Sequence, residues 1–338
     1  MNQEVKFKYF SKQYLLSRPE LLVLVSFFIF TFIISLAVGT QFTLPSSNST
    51  KFIGLHYIFP VLLVLFWSLM ILFGNTILNR KNSKSDYLKN ISTRMYLLVI
   101  FTVVTWLHFH LKMWVPLINP FLYDNFYQSV DKFLNPLLHI TIAVRNTFAQ
   151  LIHNYIHLEV DPLYLHIFIL MFFISFSAHS LFDSKHFRAI FLSILLVQSL
   201  GAISYIVAPA LGPFIYETGT SKLATLSQQH MLDVYNNITL YKSNWLNIHM
   251  SEYFVAGLGA MPSLHIAAAW VFTYYAYRYL KPLFWVYLLM LFWIFIEAIA
   301  SKWHYLIDLP FGIILAIFCI WLANRLSRQI ASCTNNHH

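Results

Sequence analysis

The feature that most constrains this chain is a series of apolar runs, each close to or above the length that crosses a lipid bilayer. A transmembrane helix needs about 20 apolar residues, because the hydrocarbon core is about 30 Å thick and each helical residue rises about 1.5 Å. Six runs approach or exceed that length: Leu21–Gly39, Leu55–Leu78, Met95–Leu111, Leu163–Phe182, Ala189–Leu211 and Leu283–Ala300. Two more are apolar but carry His265 or Asp308 near their first turns: Pro262–Tyr277 and Leu306–Asn324. The sequence therefore predicts an all-α polytopic membrane bundle of about eight transmembrane helices.

Composition supports a membrane protein and argues against a nucleic-acid binder. The 338 residues are 58% hydrophobic and 10% charged, whereas soluble domains are about 25% charged. The net charge of +9 comes from basic residues in short segments between apolar runs, so membrane lipids are the expected partners. Two cysteines provide neither a disulfide framework nor a zinc pattern. The first apolar run is longer than a signal-peptide core and is interpreted as a retained anchor. The sequence leaves the oligomeric state open.

The distribution of basic residues predicts an orientation. With eight spans and a cytoplasmic N-terminus, fifteen of the 22 Lys and Arg fall in inner segments, which are also the shorter ones. This bias matches the positive-inside rule, so both termini are predicted to be cytoplasmic in the plasma (inner) membrane. The active site described below would then face the extracytoplasmic side.

Four regions are predicted along the chain. Residues 1–111 form an N-terminal membrane region, 112–162 an outer amphipathic segment, 163–325 a catalytic membrane core and 326–338 a cytoplasmic tail. The apolar residues of 112–162 recur with helical spacing, which predicts either a helix on the membrane surface or a helix packed on the outer mouth of the bundle. Residues 212–261 are too long for a mere connector.

The first informative motif runs from Gly259 to His265, with the sequence Gly-Ala-Met-Pro-Ser-Leu-His. Pro262 suits the first turn of a helix, since it lacks the N–H that would have no partner there. Ser263 and His265 are then predicted in the opening turn, beside free backbone N–H groups that favour an anion. A histidine in such a place is also common as a purely structural residue.

The second motif, Lys302 to Asp308, opens the last span, and its His304 and Asp308 are i and i+4 on one helix face. A carboxylate at that spacing can hold one imidazole nitrogen and leave the other as a nucleophile or base, or form a structural hydrogen bond. The 39 residues from His265 to His304 allow one span in and one span back, so both histidines are predicted at the same membrane face. Two histidines, an orienting carboxylate, a helix N-terminus and a nearby lysine suit phosphoryl transfer.

Met-Pro-Ser-Leu-His followed by His-Tyr-x-x-Asp resembles the type 2 phosphatidic acid phosphatase superfamily, and within it the branch of the inositol phosphorylceramide synthases. The segment from Pro209 to Pro213 also resembles that branch. The resemblance, which covers roughly residues 163–325, implies a phosphohistidine route. It assigns His304 as the nucleophile, Asp308 as its orienting partner and His265 as the acid for the leaving oxygen. Ser263 and the local backbone, with Gly259, would bind the phosphoryl oxygens.

The chain departs from the common form of that superfamily in its cations. An arginine usually stands six residues before the nucleophilic histidine, where this chain has Ala298, and no Lys-x6-Arg-Pro motif precedes it. The charge on transferring phosphoryl oxygens must be met. Lys302 is the leading candidate, unless it is an interfacial anchor. Further candidate cations are Lys222, Lys242 and Arg145. Glu297 is a separate functional candidate, an acid within a span that can equally be structural.

The remaining clusters favour a simpler interpretation. His108 with His110, and His153 with His157, have metal-like spacing but no accompanying Cys or carboxylate set. No metal and no cofactor is therefore expected. The preferred hypothesis is an enzyme acting on a lipid-linked phosphate, with water (phosphatase) or an alcohol (head-group transferase) as acceptor. A transporter would favour repeats or broken helices in both halves, which the sequence lacks. A non-catalytic assembly protein would not need both histidines and Asp308.

Overall fold

The computed structural model describes residues 18–46, 84–182 and 184–335, and these are helical throughout, with no β-strand among them. The ten α-helices of the described residues are α1 (Pro19–Val38), α2 (Lys84–Ile118), α3 (Asp124–Phe133), α4 (Asn135–Ile156), α5 (Leu163–Phe182), α6 (Ser184–Val207), α7 (Lys222–His249), α8 (Leu264–Tyr279), α9 (Lys281–Ala300) and α10 (Asp308–Asn335). The prediction of an all-α bundle is confirmed.

Five described helices are long and apolar enough to cross a membrane: Pro19–Val38, Met95–Ile118, His186–Val207, Lys281–Ala300 and Asp308–Ser327. The predicted count of about eight is not confirmed. The predicted span Leu55–Leu78 lies outside the described residues. The apolar part of α5 covers only Leu163–His179. Helix α8 has 16 residues, about 24 Å of helix, which is shorter than the hydrocarbon core.

Helix α8 lies at the centre of the bundle, packed against α5, α6, α9 and α10. Its residues Ala267, Ala268 and Ala269 are all buried, and small side chains of this kind let helix backbones approach closely. The outer helices present apolar side chains outward instead. Trp285 and Leu289 on α9 and Ile314 on α10 are all more than half exposed, as expected of surfaces that meet lipid.

The first described helix, α1, is bounded by local signals and attached to the bundle by an ion pair. Pro19 stands in its first turn, and Gly39 ends it with a φ of 67°, a conformation that glycine adopts without a Cβ penalty. Glu20 is fully buried and accepts hydrogen bonds from the guanidinium of Arg188 on α6, including one of 2.8 Å from Nη2. The predicted anchor is therefore tied to the central bundle.

The segment predicted to be amphipathic forms α3 and α4. One face of α4 packs on α9 and buries Leu138, Thr141 and Arg145. The opposite face exposes an apolar stripe: Leu137, Ile140, Val144, Phe148 and Leu151. Such a stripe suits contact with lipid at the rim of the bundle.

The long segment that follows residue 211 contains α7. Ser221 is its N-cap, and the Ser221 Oγ accepts a hydrogen bond of 3.2 Å from the backbone N–H of Ala224. Helix α7 packs against α2 through buried Met231, Val234 and Ile238. It thereby covers one side of the cavity described next.

Candidate active site

Two loops form the centre of the site, residues 259–263 and residues 302–308. Backbone hydrogen bonds join them to each other and to a third segment, residues 209–213. The backbone N–H of Ser263, the N-cap of α8, donates to the carbonyl of Asp308 at 3.1 Å. The N–H of Ala260 donates to the carbonyl of Ala210 at 2.9 Å. Helix α8 begins at Leu264, so Pro262 lies before the N-cap and not in the first turn where the sequence predicted it. Ser263 and His265 still lie at the helix start, as predicted.

Glycine at position 312 allows this close approach. A Cβ on Gly312 of α10 would lie 2.4 Å from the carbonyl oxygen of Ser263, closer than van der Waals contact permits. Gly259 meets a similar restriction in the first loop, because its Cβ would lie 3.0 Å from the ring of Tyr205. Gly259 also lines the cavity, where its backbone is open to a ligand.

The imidazole of His304 is held at one nitrogen. Its Nδ1 lies 2.8 Å from the carbonyl oxygen of Ala260 and 3.3 Å from Oδ2 of Asp308. A carbonyl oxygen can only accept, so the hydrogen bond assigns the proton of the neutral ring to Nδ1. Nε2 then keeps its lone pair. The sequence anticipated Asp308 as a partner, but the shorter contact is to Ala260, 44 residues away. The predicted shared helix face is wrong, because α10 begins at Asp308 and His304 lies in the non-helical segment before it.

The carboxylate of Asp308 is fully buried at the start of α10. Its Oδ2 also accepts from the backbone N–H of Tyr305 at 2.9 Å, while Oδ1 has no hydrogen-bond partner among the described residues. The N-terminus of a helix stabilises a negative charge. Asp308 is therefore placed to balance positive charge that develops on the His304 ring.

The ring of His265 lies opposite His304. Their centroids are 6.4 Å apart and the rings are inclined by 66°. Two aromatic rings of α5 hold His265 in place, Tyr164 at 5.1 Å and Phe168 at 4.4 Å between centroids. The structure thus brings together the two histidines that the sequence singled out.

Both histidines line a cavity of about 270 Å³. Its other walls come from the start of α5, the first turns of α7 and the facing sides of α2 and α6. Apolar side chains such as Phe109, Leu165 and Val255 alternate with polar ones. A mostly apolar pocket with a few convergent polar groups is the usual form of a small-molecule site. Ser263, although buried, is not among the lining residues, and its Oγ has no partner among the described residues.

The cations proposed from the sequence lie elsewhere. Lys302, in a left-handed backbone conformation with φ 58°, forms an ion pair with Glu217 and does not line the cavity. Arg145 donates to Glu297 at 3.0 Å and to Asp161 at 2.6 Å. Glu297 is buried beneath it and also accepts from the hydroxyl of Ser301, which is the structural arrangement that the sequence left open for this acid.

The two remaining lysine candidates are on α7. Lys222 and Lys242 are both exposed, and neither lines the cavity. The backbone N–H of Lys222 donates to Asp161 at 3.0 Å.

Two carboxylates of α3 fix two loops at the site, residues 209–213 and 302–308, and sequence reasoning missed them. Asp124 accepts from the backbone N–H groups of Leu211 and Gly212 at 3.0 Å and from the Tyr305 hydroxyl at 2.7 Å. Burial and the nearby Asp124 carboxylate raise the pKa of Tyr305, so its hydroxyl stays protonated and donates. The sequence signal was present: Asp124 and Asp131 are seven residues apart and share one face of α3.

The second of these carboxylates, Asp131, accepts from the backbone N–H of Leu306 at 2.9 Å. Burial raises the pKa of Asp131 to about 6, against a usual value near 4. Its negative charge is consequently disfavoured in the folded state, and Asp131 serves the loop chiefly as a hydrogen-bond acceptor.

The histidine pairs with metal-like spacing do not form a metal site in the described part of the chain. Among these residues no group of three or more His, Cys, Asp or Glu side chains is arranged to hold a metal ion. His110 uses both ring nitrogens, Nδ1 beside the Trp106 carbonyl and Nε2 accepting from Thr43 N–H. His153 is exposed beside Glu159.

The cavity wall also contains a cation that was not a sequence candidate. Lys112 near the end of α2 lies on the cavity wall with His108, one helical turn before it. The sequence marked Lys112 only by its position, a cation at the edge of an apolar run.

Comparison with known proteins adds one finding. A family model described as the PAP2 superfamily matches residues 137–322. This range contains both histidines and Asp308, and it leaves α1, α2 and α3 outside. No curated protein and no solved structure matches the chain.

Proposed function

The chain belongs to the PAP2 superfamily, and from this premise we propose that it is a membrane-embedded lipid phosphatase or phosphotransferase working through a phosphohistidine. One observation carries the proposal. The Nδ1–H of His304 is bound by Ala260 and Asp308, which leaves Nε2 as a lone pair facing a cavity shared with His265. An oriented imidazole with a second imidazole opposite is a nucleophile paired with an acid–base group.

In the first step Nε2 of His304 attacks the phosphorus of a lipid-linked phosphate. An N–P bond forms while the P–O bond to the leaving group breaks. His265, whose protonated form is favoured by the negative charge of the bound phosphate, gives its proton to the leaving oxygen. The phosphorylated ring carries a positive charge, which the Asp308 carboxylate and the Ala260 carbonyl stabilise through Nδ1–H.

In the second step His265, now neutral, takes a proton from the acceptor, whose oxygen attacks phosphorus. The N–P bond breaks and His304 returns to its neutral form with the proton still on Nδ1. Water as acceptor gives a phosphatase. An alcohol gives head-group transfer, the second candidate, which the likeness of Pro209–Pro213 to the inositol phosphorylceramide synthase branch favours. That segment borders the site, since Ala210 accepts from Ala260 and Leu211 lines the cavity.

The substrate is proposed to be a lipid because the site lies among apolar helices. Leu223, Phe109 and Val255 give the cavity wall an apolar surface continuous with a bundle that exposes apolar side chains. The excess of Lys and Arg in the inner segments supports an active site on the extracytoplasmic face of the plasma membrane, with both termini cytoplasmic. Nothing in this scheme requires a nucleic acid or a metal ion.

We expect the purified protein to change a phosphate-bearing lipid. The test is mass spectrometry of lipids after incubation with phosphate monoesters and diesters, with and without alcohol acceptors, in parallel samples with and without EDTA. Loss of the phosphate group identifies a phosphatase, whereas a new head-group ester formed only with an alcohol identifies a transferase. Activity that is lost in EDTA and restored by a divalent ion would contradict the metal-independent route, and no change in any lipid would contradict the function.

His265→Ala is expected to lose activity in proportion to the basicity of the leaving group. General acid catalysis contributes roughly 10²–10⁴-fold when the leaving oxygen must be protonated, and a nitrophenolate needs little protonation. The variant should therefore hydrolyse a nitrophenyl phosphate ester far better, relative to the unaltered protein, than it hydrolyses an alkyl phosphate. Equal losses on both esters would refute the role of His265 as the acid.

A further inference from the structure

Helix α2 places two polar side chains, His108 and Lys112, on one wall of the catalytic cavity. They are i and i+4, so they share one helix face. Residues this polar inside an apolar span are costly and usually face a partner or a ligand. Both lie outside residues 137–322, the range that matches the superfamily.

Lys112 differs from the other cations near the site in its surroundings. Lys302 and Arg145 are bound to carboxylates. No carboxylate lies within ion-pair distance of Lys112 in the part of the chain that the structure describes, and its Nζ lies 5.4 Å from the centroid of the Tyr205 ring. Lys112 is partly buried, and a partly buried cation without a carboxylate is stabilised by an anionic ligand.

The neighbouring His108 is also fixed through its Nδ1 nitrogen. Its Nδ1 lies 2.9 Å from the carbonyl oxygen of Gln198, and a carbonyl only accepts, so the Nδ1 of His108 is the donor. The ring of His108 is thereby held against α6, one turn before Lys112. The wall thus contains a positioned imidazole and a cation, and it belongs to the cavity that His265 and His304 also line.

We propose that Lys112 binds the phosphoryl oxygens of the substrate, so that a helix outside the family-matched region completes the site. This inference rests on the proposed function. It supplies a cation where this chain has Ala298 in place of an arginine, because Lys112 lines the cavity that His265 and His304 share. The ligand class is a phosphate ester or inorganic phosphate, which present the same oxygens to the ammonium group.

The test is phosphate binding, measured separately from turnover. Binding of inorganic phosphate to the purified full-length protein is followed by titration calorimetry, and turnover is measured on vesicles of phosphatidylcholine containing phosphatidic acid. Lys112→Met is expected to weaken phosphate binding and raise KM for the lipid by about tenfold or more, the effect of one charge-assisted contact. Lys112→Arg should recover most of both, since the charge returns.

Two further variants make the comparison specific. Lys132→Met changes an exposed lysine of α3 and should match the unaltered protein. Lys302→Met tests the cation first expected from the sequence, and a larger loss of phosphate binding there than in Lys112→Met would overturn the proposal. Thermal unfolding of each variant in detergent identifies any that fail to fold, and Lys112→Gln then replaces Lys112→Met.

The two readouts separate this inference from the function itself. Turnover that depends on His304 but is unaffected by Lys112→Met overturns the subsite and leaves the function standing. Phosphate binding that depends on Lys112 without any lipid turnover supports the subsite while contradicting the function. If only inorganic phosphate binding weakens and KM for the lipid stays unchanged, the claim that the lipid phosphate contacts Lys112 is overturned.

Discussion

His304→Ala is expected to abolish turnover, with a loss of about 10⁴-fold or more. Removing the nucleophile eliminates the covalent route entirely, and in enzymes that use such a group the loss of it alone costs nearly as much as the loss of all its partners. The measurement is the initial rate on the lipid substrate found in the incubation described above. His139→Ala, at an exposed position of α4, is the matched control and should keep full activity.

The covalent step itself can be observed. With substrate labelled on phosphorus, the unaltered protein should carry label after rapid acid quenching, and His304→Ala should carry none. The variant is expected to fold, because it loses only the contacts of Nδ1 with Ala260 and Asp308. A folded His304→Ala protein that keeps more than about a hundredth of the original rate would contradict the nucleophile role. So small a loss is no greater than the roughly 100-fold that general acid catalysis alone contributes.

Asp124→Ala is expected to destabilise the protein by about 3–5 kcal/mol and to lose most activity. The change leaves the N–H groups of Leu211 and Gly212 and the hydroxyl of Tyr305 without their acceptor in a buried position. Each unsatisfied buried group costs about 1–3 kcal/mol. Activity should fall because Tyr305 is next to His304, so a displaced Tyr305 moves the nucleophile.

Thermal unfolding in detergent and the rate on the lipid substrate measure the two effects. Asp124→Asn keeps one acceptor oxygen and should lie between Asp124→Ala and the unaltered protein in both. Asp233→Ala removes an exposed carboxylate of α7 and should change neither. A fully stable and active Asp124→Ala protein would show that α3 does not hold the loops in place.

The sequence predicts those parts of the site whose residues lie within a few positions of each other in the chain. His304 and Asp308 are four residues apart, and Ser263 and His265 flank a helix start. Residues so close in the chain stay close in space, although His304 lies before α10 and does not share a helical turn with Asp308. The apolar runs likewise predict membrane helices because the thickness of the bilayer sets their length. The sequence predicts the number of spans less well, because a short buried helix such as α8 has the same composition as a span.

Which cation of the described residues lines the cavity was decided by tertiary structure alone. Lys302 was the leading candidate because it is two residues from His304, but it is paired with Glu217, 85 residues away. Arg145 is likewise taken by Glu297, 152 residues away. Nothing in the neighbouring sequence distinguished Lys112 from the other lysines, but it lines the cavity.

The sequence by itself determined an all-helical membrane protein, the two histidines with Asp308, and the class of reaction they suit. Only the tertiary structure decided that Ala260 holds the His304 ring, that Asp124 joins the two loops, and which lysine lines the cavity. The physical reason is the separation along the chain over which each interaction acts. Helix period and burial act between near neighbours in the chain, whereas hydrogen bonds and ion pairs form between whichever groups the packed helices bring within about 3 Å.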